Sequence, residues 1–183
     1  FGCGVMAYFS DTTRLPLWDL ANLMIMGSDN WATNLLIDQL GLESINQTRQ
    51  KEGRKKTKLQ RKMMDTTAQS EGRQNDTTPI DTYSLFSKLL APEASITSEN
   101  RKRFIEILKG QQFNHKLSTS WNGQFEFAHK TGELTQIDHD TGILFSQAGE
   151  VILVCFTKDF VCAKESLDFQ NDLGILIHQN FVK

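Results

Sequence analysis

The sequence predicts an α+β fold: a helical subdomain followed by an antiparallel sheet flanked by helices. Three observations lead there. Apolar residues recur at helical spacing through the first part of the chain. Near residue 123 the pattern switches to segments of strand length, 124–131, 139–146 and 150–157, the first of which opens with polar and apolar residues in alternation. Short turns such as Ala148-Gly149 separate these segments, which suits neighbouring antiparallel strands. The expected organisation is a single domain over 1–183. Its helical part covers about 10–122, with a long loop at 42–78, and 123–183 carries three strands and a C-terminal helix.

Residues 1–15 are rich in Gly, Ser, Asp and Thr and read as irregular. Pro16 suits a helix start, and Leu17, Leu20, Leu23 and Met24 mark one apolar face over roughly 16–26. Asn30 is the expected cap of a second helix, Trp31 to Leu40, stopped by Gly41. Arg49, Lys51, Arg54, Lys55, Lys56, Lys58, Arg61 and Lys62 then crowd together, which reads as a solvated, mobile loop plus a short helix. A polar connection follows to Asp76. Thr78 and Pro79 are a good cap and first helical residue for a helix to about Leu90, broken at Ala91-Pro92. Another helix is expected from Ser98 to Lys109, with Gly110 as its stop. In the sheet, Ile143-Leu144-Phe145 and Val151 to Val154 are apolar at successive positions, so helices are expected over both faces. Residues 162–181 close the chain as a helix.

Composition narrows the function class. Apolar residues make up 39% and charged residues 23%, an ordinary globular balance. The net charge of -2 gives no field for nucleic acid or an anionic membrane. No aromatics interleave the basic run, which argues against nucleic acid there. No apolar run reaches the length of a membrane span. Cys3, Cys155 and Cys162 show no metal-type spacing, and Cys155, inside an apolar run, reads as a small core residue. A Cys3–Cys162 bridge is compatible with the sequence and not demanded by it. The chain starts at Phe1 without a basic or apolar leader, so no signal peptide is visible, and a piece of a longer product is expected.

Two motifs carry chemistry. Ser28-Asp29-Asn30 sits at a junction between two expected helices. His129-Lys130-Thr131-Gly132-Glu133-Leu134 ends the first expected strand, where glycine lets a ligand approach the backbone closely. Taken singly, Ser28 or Asn30 reads as a helix cap and Lys130 as an exposed strand-end lysine. In this order, Ser-Asp-Asn and Lys-Thr-Gly are two of the three motifs of class A β-lactamases and penicillin-binding proteins. The segment Leu20–Gly41 resembles that family almost throughout. Arg61-Lys-Met-Met-Asp65, Gly72-Arg-Gln-Asn75 and Thr77-Thr-Pro-Ile-Asp81 resemble it as well, so the likeness spans about residues 2–182.

The resemblance implies a β-lactamase/transpeptidase-like fold and a serine hydrolase that opens β-lactam amides through an acyl-enzyme. A strained amide needs a nucleophile, a base, a proton path to the leaving nitrogen and oxyanion donors. By resemblance, Ser28 relays that proton. Lys130 supplies positive charge that eases ionisation of Ser28 and attracts a substrate carboxylate. Asn30 orients the substrate amide, Thr131 bonds the carboxylate, Gly132 leaves room, and the backbone N–H of Glu133 is an oxyanion donor. Asp29 is a buried acceptor for nearby backbone N–H groups, and Asn34 pins the long loop. His129 and His139 read as sheet residues, and His115 and His178 as surface. The resemblance implies no cofactor or metal, a β-lactam or peptidoglycan peptide as partner, no nucleic acid, and a periplasmic or extracellular setting.

Three departures sharpen the expectation. No serine in the 183 residues has a lysine three positions later, so Ser-x-x-Lys is absent and the chain is expected to lack the nucleophile. The family places that motif, with an N-terminal helix and first strands, upstream of the segment that Gly2-Cys3-Gly4-Val5 matches. The chain is therefore expected to be an N-terminally truncated, inactive fragment, and Val151 to Phe156 an exposed edge prone to self-association. Finally, Met63 stands where the long loop would present a glutamate, and Met cannot activate water. Two alternatives stay open: a penicillin-binding, D-Ala-D-Ala carboxypeptidase-like acyltransferase with slow deacylation, and a non-catalytic homologue that only binds.

Overall fold

The computed structural model describes residues 3–91 and 96–181. The chain forms two compact units, Phe1–Ser84 and Leu85–Lys183. The first is helical. A 3-10 turn at Met6–Tyr8 precedes α1 (Leu17–Met26), α2 (Asn30–Leu40), α3 (Leu42–Lys51) and the short α4 (Thr66–Ser70). α1 packs on α2, and α2 on α3 and the Met6–Tyr8 turn. Leu20 and Ile25 are the buried residues of α1, and Ala32 and Ile37 those of α2. Leu17, expected on the buried face of α1, is exposed: it is the first residue of the helix, and burial begins with Leu20.

α5 (Pro79–Leu90) begins in the first unit and ends in the second. Thr78 caps it through its hydroxyl, which accepts from Asp81 N–H at 3.3 Å. Pro92, expected to break this helix, lies outside the described residues.

The second unit joins α6 (Ser98–Lys109) to strands β1 (Glu126–Leu134), β2 (Ile137–Ser146) and β3 (Gly149–Lys158), and then to α7 (Ala163–Phe181). Thr97 caps α6 and Gly110 closes it. The sheet is an antiparallel meander in the order β1-β2-β3. Leu134 pairs with Ile137 across a two-residue turn, Thr135-Gln136. β1 therefore extends beyond the expected 124–131, and Lys130 lies inside the strand opposite Thr141, not near its end. α6 packs on β1, and α7 on β2 and β3.

The core of this unit gathers Leu117, Trp121, Phe127, Leu144, Cys155 and Ile177. Trp121 satisfies its indole N–H on the carbonyl of Gly174 at 2.9 Å. Glycine is required there: a Cβ at 174 would lie 2.0 Å from the Leu117 carbonyl oxygen. β3 is a sheet edge, yet Val151 to Val154 are half-buried and Cys155 is buried, so its apolar residues are less bare than expected.

All three cysteines are free thiols, with Cys3 and Cys162 exposed. Burial, with Asp140 and Asp138 nearby, pushes the Cys155 thiol up to about 11. At pH 8 Cys3 and Cys162 are expected to react with a disulfide reagent in the native state, and Cys155 only on unfolding. Three equally fast thiols would contradict this packing.

Candidate functional site

The Ser-Asp-Asn junction is built around one carboxylate. Asp29 is 1% exposed. Its Oδ1 accepts from the backbone N–H of Trp31 at 2.9 Å and Ala32 at 3.0 Å. Its Oδ2 accepts from Val5 at 2.7 Å and Met6 at 2.9 Å. Asp29, not Asn30, is thus the cap of α2, and Asn30 is its first residue. The shift has a physical reason: a carboxylate one residue earlier offers two acceptor oxygens to the free N–H groups, Oδ1 to those of the first turn and Oδ2 to Val5 and Met6, and its charge suits the positive end of the helix dipole. The same carboxylate ties down the 3-10 turn. Gly4, at φ 121, leaves space for it, since a Cβ there would sit 2.2 Å from the Asp29 carboxyl. Between the two helices Ser28 is held at φ 51. A left-handed serine costs roughly 1–3 kcal/mol and persists only where its surroundings over-determine it. Here the Gly27 N–H to Leu23 carbonyl bond (3.2 Å) before it and, after it, the Asp29 carboxylate bonds with the Asp29 N–H to Leu23 carbonyl bond (3.0 Å) do so.

The long loop is pinned by amides. Asn34 on α2 donates to the Met63 carbonyl at 3.1 Å and accepts from the Met63 N–H at 2.7 Å, a reciprocal pair. Asn46 bonds Leu59 on both its N–H (3.1 Å) and its carbonyl (2.7 Å). Asn75 accepts from the Gln60 and Arg61 N–H groups and donates to the Arg61 carbonyl. Lys58 and Asp76 pair through both backbone bonds. Burial works against the Asp81 charge, but bonds from the Thr57 hydroxyl and the Thr57 and Lys56 N–H groups, with Arg54 nearby, hold its carboxyl below the usual range. The expectation of a solvated, mobile basic loop is corrected: Arg49, Arg54 and Arg61 are buried. Arg49 spends its donors on the Asn46 amide and the Arg54 carbonyl, Arg54 pairs with Glu52, and Arg61 bonds the Lys62 carbonyl. Met63, held in this frame, offers no acid or base.

In the second unit β1 carries Lys130, Thr131, Gly132 and Glu133. Lys130 is half-buried, with Nζ donating to the Thr131 carbonyl at 2.7 Å. Thr131 is buried, and Gly132 and Glu133 are exposed. Beneath them lies a lysine that sequence reasoning missed. Lys116 is fully buried, pairing with Asp138 and, at 2.9 Å, with Glu133 Oε1. It also donates to the His139 carbonyl at 3.2 Å. One cation thus ties the loop before β1 to both strands of the hairpin. The hydrogen bond from Lys116 holds the Glu133 carboxyl below its usual range, with His115 adding to the effect and burial opposing it.

His129 and His139 are both sheet residues. His129 is buried with Nδ1 2.7 Å from Asp140 and Nε2 3.0 Å from the Asn114 oxygen, so neither ring nitrogen is open to a substrate. Asn114 donates through Nδ2 to the Gln111 carbonyl, which sets the direction of its amide. Burial lowers the pKa of His139, which stacks on Phe156 at 4.0 Å. His115 is exposed, whereas His178 is half-buried and bonds Gln124 at 2.6 Å.

Ser28, Asp29, Asn30 and Asn34 therefore belong to the first unit, and Lys130, Thr131, Gly132 and Glu133 to the second. Asn46 and Lys116 support these segments without having been singled out by sequence, as do Asn75 and Asp81, which end two family-like stretches but were given no role there. Their partners lie 13 to 25 residues away, beyond any local pattern.

Comparison with known proteins gives a consistent result. The model of the beta-lactamase enzyme family (Beta-lactamase2) matches residues 1–181. No curated protein matches the chain. A beta-lactamase from Sphaerobacter thermophilus is 29% identical, with a TM-score of 0.88, over 99% of this chain and 69% of that one. PBP-A is 24% identical, with a TM-score of 0.87, over 99% and 67%. A variant of PBP-A, solved as an acyl-enzyme complex with penicillin G, matches at the same level. A beta-lactamase from Chitinophaga pinensis shares the fold at 16% identity and a TM-score of 0.83, over 97% and 74%. Among the described residues no helix is long and apolar enough to cross a membrane.

Proposed function

The chain belongs to the beta-lactamase enzyme family, and on that premise we propose that it supplies the β-lactam-recognising part of a class A-type serine acyl-transfer enzyme. In this reading Ser28 relays the proton to the leaving nitrogen and Lys130 provides the positive charge that favours this transfer and draws in the substrate carboxylate. Thr131 bonds the carboxylate, Gly132 admits it, and Asn30 orients the substrate amide. The backbone N–H of Glu133 donates to the oxyanion. Asp29 and Asn34 are positioning residues, one for the Ser28 turn and the other for the Met63 loop.

The observation that carries the reading is Ser28 itself. Its left-handed backbone, uncommon for serine and locked beside a buried carboxylate, fixes this residue in one orientation between the two helices, as a proton relay requires. The class A activity, the serine acyl-enzyme and a periplasmic or extracellular setting rest on the family. Ser-x-x-Lys is absent from the 183 residues, so the chain alone should bind without acylating. A second reading, a penicillin-binding acyltransferase with slow deacylation, is favoured by Met63 at the position expected for a water-activating glutamate. PBP-A, which shares the fold, has been captured as an acyl-enzyme in a variant form.

Fluorescent penicillin G is expected to bind the 183-residue chain reversibly, leaving its intact mass unchanged and turning over no nitrocefin. Lys130→Ala should weaken that binding about tenfold, the loss of one charge-assisted contact. Affinity untouched by this change would sink the carboxylate role, and a covalent adduct would overturn the assignment of the nucleophile.

A further inference from the structure

A cavity of about 330 Å³ lies within the second unit, between the tip of the β1–β2 hairpin and the start of α7. Leu134, Ile137, Phe160, Val161 and Leu167 form its apolar wall. Its other wall holds His115, Glu133 and Asp138. The volume is at the low end for a small-molecule site, room for a single-ring group.

The charges on the polar wall do not balance. Two carboxylates, Glu133 and Asp138, share one buried ammonium, that of Lys116. Glu133 commits Oε1 to Lys116 at 2.9 Å and to His115 at 3.3 Å. Among the described residues no bond is made to Glu133 Oε2. Asp138 gives Oδ1 to Lys116 and takes the Ser166 hydroxyl on Oδ2 at 3.2 Å. The wall thus keeps one excess negative charge when His115 is neutral, with a free carboxylate oxygen at a partly exposed position beside apolar surface. An anion would meet this charge unfavourably, and a neutral apolar group would leave it unanswered.

We propose that this cavity binds a small amphiphilic cation, a primary ammonium on an apolar body, with Glu133 Oε2 as its acceptor and the Leu134, Phe160 and Val161 side chains around its body. The consequence for substrate class rests on the reading in the preceding subsection. Thr131, two residues earlier on β1, would take a carboxylate, so the strand would suit a zwitterionic molecule carrying both groups.

Benzylammonium tests the site without either a carboxylate or a β-lactam, so its outcome is separate from that of the penicillin experiment. Titrated into the 183-residue chain, it should shift the amide resonances of Leu134, Thr135 and Val161 to Ala163. It should bind roughly fivefold tighter than benzyl alcohol, the scale of a part-exposed ion pair, and benzoate should bind more weakly than either. Glu133→Gln should erase the preference for the cation. In the unmodified chain, benzylammonium should also slow alkylation of Cys162, an exposed thiol on the cavity rim. Equal affinity for the cation and the alcohol would overturn the proposal, as would tighter binding of benzoate or shifts confined to other surfaces.

Discussion

Asp29→Ala is expected to lower the stability of the first unit by about 4 kcal/mol. Four backbone N–H groups, those of Val5, Met6, Trp31 and Ala32, lose one carboxylate together. Hydrogen bonds to a charged group contribute about 1.5–3 kcal/mol each, but water can reach part of this site and re-satisfy the outer pair. Asp29→Asn is the informative control. Its amide keeps one acceptor oxygen and turns an NH₂ toward two of the four donors, so it should be nearly as damaging as alanine. Urea unfolding followed by fluorescence of Trp18 and Trp31 reads both changes. A loss under about 1 kcal/mol for either variant would mean that the turn is held by something other than this carboxylate. The same change releases Ser28 from its left-handed backbone, so ligand affinity should fall along with stability.

What the sequence makes legible follows from how local its signals are. The boundaries of α6 come out where expected because Thr97 and Gly110 punctuate a clean apolar period. α2 is misplaced at its start by only one residue, since Ser28, Asp29 and Asn30 are all competent caps and tertiary donors from Val5 and Met6 decide among them. β1 reads short because Thr131-Gly132-Glu133 breaks the alternation and the hairpin turn contains no glycine. Gln136 takes the left-handed position at φ 56 instead. The basic segment misleads most. Eight cations in fourteen residues look solvated, yet three arginines are buried where backbone carbonyls, Glu52 and the Asn46 amide take their donors. The motif residues were visible because a family pattern names them. Of their supports, Asn46 and Lys116 carry no pattern of their own, and Asn75 stands in a family-like stretch that gives no hint of its bonds to Gln60 and Arg61.

Lys116→Met is expected to destabilise the second unit by about 3–5 kcal/mol, the cost of leaving a buried charge without its partner. The side chain of Asp138 is 12% exposed and loses its cation, while Glu133, at 59%, can turn to water. The effect should therefore follow Asp138 and not Glu133. Replacing both partners, Lys116→Met with Asp138→Leu, should recover much of the loss, because a desolvated ion pair and a packed apolar pair of similar volume differ little in stability. The recovery would be incomplete, since Asp138 also accepts from the Ser166 hydroxyl and Lys116 also bonds the His139 carbonyl. Glu133→Gln alone should cost under about 1 kcal/mol, as a part-exposed ion pair does. A double-mutant cycle on Lys116 and Asp138, read by urea unfolding, measures the coupling directly. Additive losses would show that the lysine acts on the hairpin backbone and not through the carboxylate. If the coupling is large, Lys116 fixes the height of the Gly132–Glu133 backbone. Amide exchange at Glu133 should then speed up in the single variant and slow again in the double.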